Sequence, residues 1–290
     1  MYYTGIDLHK KTSFITTIDA RGKIVTRANL QNVEEDILAY FANLGDETKI
    51  VIESMASWYW LYDLLTGEGF EVVISNPVKT KAIASAKIKN DKLDSHMLAQ
   101  LLRADLISTV HVSSLETRKL KELLRHRSRL VRDATRMKNR IHMLLMKNNF
   151  SSPFSDLFGV KGLRYLEEID LPDYHRQNVE TYLLLYEKLQ EQIEPLTKRV
   201  RALAKENHTA RLLMTIPGIG PITAMFIIAE VDDISRFRSY RNLASYAGLV
   251  PSLDASAGKE KRGRITKQGS RYLRTALVEA AQAAARMQNC

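Results

Sequence analysis

The chain has 290 residues, 45% of them apolar and 26% charged, with a formal net charge of +10. The apolar fraction supports packed cores and excludes a disordered chain. No run approaches the roughly 20 apolar residues needed to span a bilayer, and the single cysteine, Cys290, excludes an internal disulfide and a thiolate metal site. The length suits two domains, and the basic excess points to a polyanion, either nucleic acid or a membrane surface. The first residues run straight into a strand without a signal-peptide pattern, and the chain reads as a soluble protein of a reducing compartment.

Three strands are predicted at the start, over Tyr2–Leu8, Ser13–Asp19 and Lys23–Asn29, with Asp19-Ala20-Arg21-Gly22 as a turn. Apolar residues at helical spacing predict a helix over Glu34–Leu44, and a buried strand follows over Lys49–Ser54. A helix over Ser57–Thr66, a strand over Glu71–Ser75 and a helix opened by Asn76-Pro77 and running through Ala86 come next. The segment Lys87–His96 leads into a helix over Met97–Ala104. The order βββαβαβα predicts a mixed sheet with helices on its faces.

Acids collect in this region. Asp7 lies in the first strand; read alone, it is a turn former at a strand end facing water. Glu53 likewise ends an apolar strand, and Asp91 and Asp94 stand three apart at a helix start, on one face. Compensation of the helix dipole accounts for that pair without a metal. Taken with Asp7 and Glu53, however, the four carboxylates suit hard divalent cations that clamp the oxygens of phosphoryl transfer.

Asp105–Ser114 reads as a connector. A long helix is predicted over Glu116–Lys147, with one apolar stripe through Leu123, Leu130, Ala134, Met137, Ile141 and Leu144. Its other faces are basic, with Arg125, Arg129, Arg132, Arg136 and Arg140 prominent among few acids. That one-sided charge favours contact with a nucleic-acid backbone over a merely solvated face, and the lack of interleaved aromatics favours phosphate contact over base stacking. Residues 148–175 read as irregular, with a short helix or a disordered tip. From Val179 to Leu203 apolar residues alternate strides of three and four, a heptad seam. Pro195 within it predicts a kink or break. The seam either pairs antiparallel with the basic helix or recruits another subunit.

Ile216-Pro217-Gly218-Ile219-Gly220-Pro221 separates two short helices. It is either an ordinary tight turn or a helix-hairpin-helix element whose Gly218 and Gly220 present backbone N–H groups to a phosphate. A helix over Tyr240–Ala247 precedes a basic segment. There Lys259, Lys261, Arg262, Arg264, Lys267, Arg271 and Arg274 outnumber the one acid Glu260, and small residues surround Ser256. A hydroxyl amid cations suits attack on a phosphodiester, although a serine in such a loop is ordinarily a turn residue. An alanine-rich helix over Thr275–Ala285 closes the sequence.

Gly5-Ile6-Asp7-Leu8-His9-Lys10, Glu53 and Lys89-Asn90-Asp91-Lys92-Leu93-Asp94 resemble the DEDD domain of the insertion-sequence transposase family numbered one hundred and ten, with its Piv-type invertase relatives. Pro217–Pro221, Gly248-Leu249-Val250-Pro251, Ser256 and Ile265-Thr266-Lys267-Gln268-Gly269 resemble its second transposase domain. The resemblance implies an α/β plus all-α chain: a RuvC-like, RNase H-type domain over 1–110, a coiled-coil helical region over 111–207 that serves oligomerisation, and a mainly helical transposase domain over 208–290. It implies a bacterial, cytoplasmic, nucleoid-associated DNA recombinase in which Asp7, Glu53, Asp91 and Asp94 bind Mg2+ (or Mn2+) and Ser256 forms a transient covalent link to DNA. It further implies double-stranded DNA and a structured guide (bridge) RNA as partners, and a homo-oligomer, dimer or tetramer. Besides Arg125, Arg129, Arg132, Arg136, Arg140, Gly218 and Gly220, the candidate nucleic-acid contacts are Lys259, Arg262, Arg264, Lys267 and Arg271. Many members carry an aromatic and a second serine beside the nucleophile; here Asp254 and Ala255 stand there, and Ser252 is a lesser candidate. Three other readings stay open: a RuvC-like nuclease using water, a protein-read DNA invertase and a non-catalytic nucleic-acid scaffold.

Overall fold

The computed structural model describes residues 1–42, 44, 47–54, 57–83, 90–256 and 259–287, without the side chains of 254–256 and 259–260. The chain divides into two compact units, Met1–Val112 and Ser113–Cys290.

In the first unit the elements run β1 (Tyr2–Leu8), β2 (Thr12–Asp19), β3 (Ile24–Gln31), α1 (Glu34–Ala42), β4 (Thr48–Glu53), α2 (Tyr59–Gly67), β5 (Glu71–Ser75), α3 (Pro77–Ile83) and α4 (Asp91–Arg103). They form a five-stranded sheet of order β3-β2-β1-β4-β5. β1, at its centre, pairs antiparallel with β2 and parallel with β4. This is the mixed sheet of an RNase H-like core, as the strand and helix order predicted. The far end of the predicted helix after Asn76-Pro77, up to Ala86, lies outside the described residues.

Strand alternation sorts β1 into two faces. Ile6 and Leu8 join Ile15, Ile50, Ile52 and Ile74 in a core with Ile37 and Phe41 of α1 and Leu61 and Leu65 of α2. Gly5 and Asp7 point to the other face, where α4 packs. A Cβ on Gly5 would stand 2.1 Å from the Ser95 carbonyl oxygen and 2.6 Å from the Ala99 nitrogen. The absent side chain therefore lets α4 lie directly on the central strand. A buried bond between Thr16 Oγ1 and Ser95 Oγ, 2.7 Å long, holds α4 to β2 as well.

The second unit comprises α5 (Leu115–Lys147), α6 (Val160–Glu168), α7 (Asp173–Glu206), α8 (His208–Leu213), α9 (Pro221–Val231), a 3-10 turn (Ile234–Arg236), α10 (Tyr240–Tyr246), β6 (Pro251–Ser256), β7 (Lys259–Ile265) and α11 (Arg271–Ala285). α5 and α7 run antiparallel. Leu124 near the start of α5 shares a core with Val200 and Ala204 near the end of α7, and Ile141, Leu144 and Leu145 meet Val179 at the other end. The heptad seam thus has its partner within the chain. The first of these cores also takes in Ala224, Met225 and Ala229 of α9 and Ala276 of α11.

Three expectations change. α7 continues through Pro195; the proline stands on the exposed side, where water can take the carbonyl that it leaves without an N–H partner. The basic segment after Val250 is an antiparallel hairpin of β6 and β7, and the last helix begins at Arg271. This hairpin has no apolar alternation to announce it, and Leu253 is 59% exposed.

Gly5→Ala is expected to destabilise the protein by about 3 kcal/mol, the cost of overpacking a close backbone contact. Urea unfolding followed by circular dichroism measures it, and a change below about 0.5 kcal/mol would contradict the direct packing of α4 on β1.

Candidate metal centre and nucleic-acid interface

Asp7 lies near the C-terminal end of β1 and is only 8% exposed. The parallel register pairs Ile6 with Ile52, so Asp7 and Glu53 come next on adjacent strands. By alternation both stand on the α4 side of the sheet. Glu53 is half-buried at the end of β4.

The helix acids arrive from the same side. Asn90 caps α4, its side chain accepting from the Lys92 N–H at 3.0 Å, and this fixes where the first turn begins. Asp91 and Asp94 both lie in that turn. Seated on Gly5, α4 delivers them to Asp7. Among the described residues, Asp7, His9 and Asp91 form the one His/Asp/Glu cluster whose ligand atoms all lie within 4.8 Å of one another. His9 Nε2 is 3.1 Å from Asp7 Oδ2 and 3.4 Å from Asp91 Oδ2. Asp94, in the same first turn, acts on the Asp7 carboxyl by its charge, and Glu53 stands next to Asp7 in the strand register; neither belongs to the cluster.

Burial pushes the Asp7 carboxyl above the usual carboxylate range; a protonated His9 pulls it down, and the charges of Asp91 and Asp94 push it up again. The net shift is upward, as expected of a carboxylate that is buried, with like charges beside it as a smaller contribution. The folded protein therefore keeps the Asp7 proton more tightly than the unfolded chain does. Stability is lost as pH rises through the raised value, because ionised Asp7 is buried among acids. A divalent cation relieves that repulsion, and oxygen donors of this kind suit Mg2+ or Mn2+. The donor set fits such an ion through Asp7 and Asp91, with Asp94 and Glu53 beside them.

His9 was absent from the candidate site residues. Its signal was present: Asp7 and His9 are two apart at the end of a strand, which puts both side chains on one face.

The basic residues of the second unit separate by partner. Arg125 makes a bidentate pair with Glu230, at 2.7 and 2.9 Å from Nη2. Glu230 is 2% exposed, so this guanidinium neutralises a buried carboxylate and ties α5 to α9. Arg129 pairs with Glu122, and Arg136 pairs with Asp133 at 2.7 Å. Arg140 lies over the Tyr182 ring, 5.3 Å from its centroid. The charge of Arg132 acts on the Tyr272 phenol.

Gly218 has φ +84°, and a Cβ there would meet the Ala280 carbonyl oxygen at 2.3 Å. Close packing against α11 thus requires this glycine, independently of any phosphate. Gly220 caps α9 ahead of Pro221 and faces open space. Ser256 is the last residue of β6, opposite Lys259 in the register; the side chains of both lie outside the described residues. Asp254 stands opposite Lys261, an opposite-charge cross-strand position. Arg262, Arg264, Lys267 and Arg271 are exposed.

Two family signatures match the sequence. The DEDD transposase domain of the IS110 type matches residues 4–149, and the transposase IS116/IS110/IS902 family matches residues 210–290. Among curated relatives, the transposase for insertion sequence element IS1328 of Yersinia enterocolitica is 26% identical over 96% of this chain and 82% of its own length. The transposase for insertion sequence element IS1111A of Coxiella burnetii is 27% identical over 96% of this chain and 76% of its own. The pilin gene-inverting protein of Moraxella lacunata is 27% identical over 95% and 80%.

In thermal melts, Mg2+ or Mn2+ at about 100 times its dissociation constant is expected to stabilise the wild-type protein by about 2.7 kcal/mol. Asp7→Asn is expected to melt higher than wild type in EDTA and to gain nothing from the metal. Equal metal stabilisation of both proteins would contradict the assignment. Arg125→Met, which leaves Glu230 buried without its cation, is expected to cost about 3 kcal/mol in urea unfolding, whereas Arg136→Ala costs less than about 0.5 kcal/mol.

Proposed function

The chain belongs to the IS116/IS110/IS902 transposase family, and from that premise we propose that it cleaves and exchanges DNA strands through a covalent link between Ser256 and DNA. As a DNA-processing enzyme with a DEDD domain, it has phosphodiesters as substrate. The observation that carries the proposal is the pairing of the two family matches with the convergence of Asp7, His9 and Asp91 at the C-terminal edge of the sheet.

The chemistry balances without a cofactor that stores energy. Ser256 Oγ attacks the phosphorus and forms a serine–phosphate ester. The bond from phosphorus to the departing deoxyribose oxygen breaks, and that oxygen takes up a proton. In the second half a deoxyribose hydroxyl of the new partner strand attacks the same phosphorus, restores the phosphodiester and frees the serine. The ester conserves the bond energy, so strands are exchanged without ATP. The exposed Arg262 and Arg264 of β7 supply positive charge near the hairpin.

Asp7, Glu53, Asp91 and Asp94 are the residues that would hold the metal, Mg2+ or Mn2+. Bound there, a divalent cation supplies charge neutralisation for the phosphate and the departing oxygen. Asp7 and Asp91 would be its nearest ligands, with Asp94 and Glu53 completing the set, and His9, 3.1 Å from Asp7 and 3.4 Å from Asp91, holds the two carboxylates together.

A structured guide RNA and a homo-oligomer, dimer or tetramer, complete the proposal. Both follow from the resemblance of the motifs, and the net charge of +10 suits two nucleic-acid partners. With an RNA guide, target choice lies in base pairing instead of in protein side chains. Inversion of a DNA segment, the activity in the name of the Moraxella relative, uses the same cleavage and rejoining.

Wild-type protein incubated with element-end DNA and then denatured is expected to carry covalently bound strand. Ser256→Ala is expected to form no adduct while still binding DNA, and Asp7→Asn to bind DNA but cleave slowly. Strand cleavage by Ser256→Ala at the wild-type rate would overturn the serine assignment in favour of hydrolysis by water.

A further inference from the structure

Three helices of the second unit enclose a cavity of about 390 Å³. α5 contributes Arg127, Val131 and Arg132, α9 contributes Ile222 and Phe226, and α11 contributes Arg271 and Tyr272. The spacing explains the convergence: residues one helical turn apart share a face, so the α5 and α11 residues each line one wall.

Its charge is not balanced from within. Three guanidiniums line it against one carboxylate, Glu279. Unlike Arg125, Arg129 and Arg136, none of the three has a carboxylate within ion-pair distance among the described residues. Arg127 donates from Nε to Thr197 Oγ1 at 2.7 Å, a neutral partner. Arg271 donates to the Tyr272 hydroxyl at 3.1 Å, and the charge of Arg132 acts on the same phenol. The phenol oxygen thus takes one guanidinium donor beside a second guanidinium charge, a setting that a phosphate oxygen satisfies more strongly. Burial pushes the Tyr272 phenol up, but the hydrogen bond from Arg271 and the charges of Arg271 and Arg132 outweigh it and bring it down. Arg271 also opens α11, whose first turn holds no acid, so its charge opposes the helix dipole. The three cations raise the cost of the empty cavity and reward an anion in it.

The cavity also has an apolar wall of Val131, Ile222 and Phe226. A duplex backbone presents phosphates on a convex surface, with its bases stacked inside. A concave site that joins guanidiniums to apolar surface suits one nucleotide turned out of a stack.

We propose that the cavity between α5, α9 and α11 binds a single unpaired nucleotide, its phosphate held by Arg127, Arg132 and Arg271 and its base against Val131 and Ile222. The inference rests on the reading of the chain as a nucleic-acid enzyme but not on its nucleophile. The unpaired strand is either RNA or DNA, and the same chemistry serves both.

Binding is measured by fluorescence anisotropy with full-length Ser256→Ala protein in EDTA, so that neither cleavage nor metal enters. The probes are an unpaired RNA and an unpaired DNA of about 15 nucleotides and a DNA duplex of that length. The triple variant Arg127→Gln, Arg132→Gln, Arg271→Gln is expected to lose about tenfold or more on unpaired RNA, unpaired DNA or both, with duplex affinity within about threefold. Which unpaired strand suffers identifies the source. Thr275→Trp, which fills the cavity from α11 and keeps every charge, is expected to cause the same selective loss. Arg136→Gln, outside the cavity, is expected to lower duplex and unpaired binding alike. Equal losses of the triple variant on duplex and unpaired strands, or unpaired binding untouched by Thr275→Trp, would overturn the site.

Discussion

The close approach of α4 to β1 at Gly5 is the contact on which the acidic site depends. A strand side chain normally stands between the backbone of a sheet and a helix packed on it. At Gly5 nothing intervenes, and the Ser95 carbonyl and Ala99 nitrogen occupy the space of a Cβ. The first turn of α4 thereby reaches the end of β1. Asn90 sets that first turn, Gly5 sets its depth, and the Thr16–Ser95 bond sets its position across the sheet. None of these residues is a metal ligand, yet together they turn acids from distant parts of the chain into a cluster. The upward shift at Asp7 comes first from its burial and then from the charges of Asp91 and Asp94 beside it. A divalent cation among these candidate ligands would relieve both.

The second unit handles charge in the opposite sense. Its basic helix does not present a uniform face. Arg125 is locked to a buried Glu230, and Arg129 and Arg136 are matched by nearby acids on their own helix. Arg127 and Arg271 have neutral hydrogen-bond partners, and they gather with Arg132 where α5, α9 and α11 leave a concavity. Pairing therefore divides structural arginines from those free to meet an anion, a distinction that counting cations along a helix does not make.

Much of the first unit was legible from the chain itself. β1 and β5 fall on their predicted spans, and β2, β3 and β4 shift by one or two residues, because alternation and terminal turn residues are local signals. The acids of the DEDD pattern were legible as a set. His9 was legible in principle through its two-residue spacing from Asp7, but a histidine past a strand end carries little weight until Asp91 stands beside it. The heptad seam of α7 was legible, but not its partner; the shared cores with α5 place it within the chain. The Arg125–Glu230 pair was not legible, since its partners lie 105 residues apart and Arg125 looks like its basic neighbours. Nor was the hairpin around Ser256, whose strands are built from small and charged residues with little β preference. Gly218 looked like a phosphate-facing turn residue; its contact with Ala280 depends on where α11 packs, which no local pattern records.

The central claim is that the chain breaks a phosphodiester with its own serine. Mass-spectrometric mapping of the peptide that stays bound to DNA after denaturation and proteolysis tests it most directly. The account predicts a deoxynucleotide phosphate on the peptide containing Ser256 and on its hydroxyl. Modification at Tyr272 or Ser252, or cleaved DNA with free ends and no modified peptide, would contradict it.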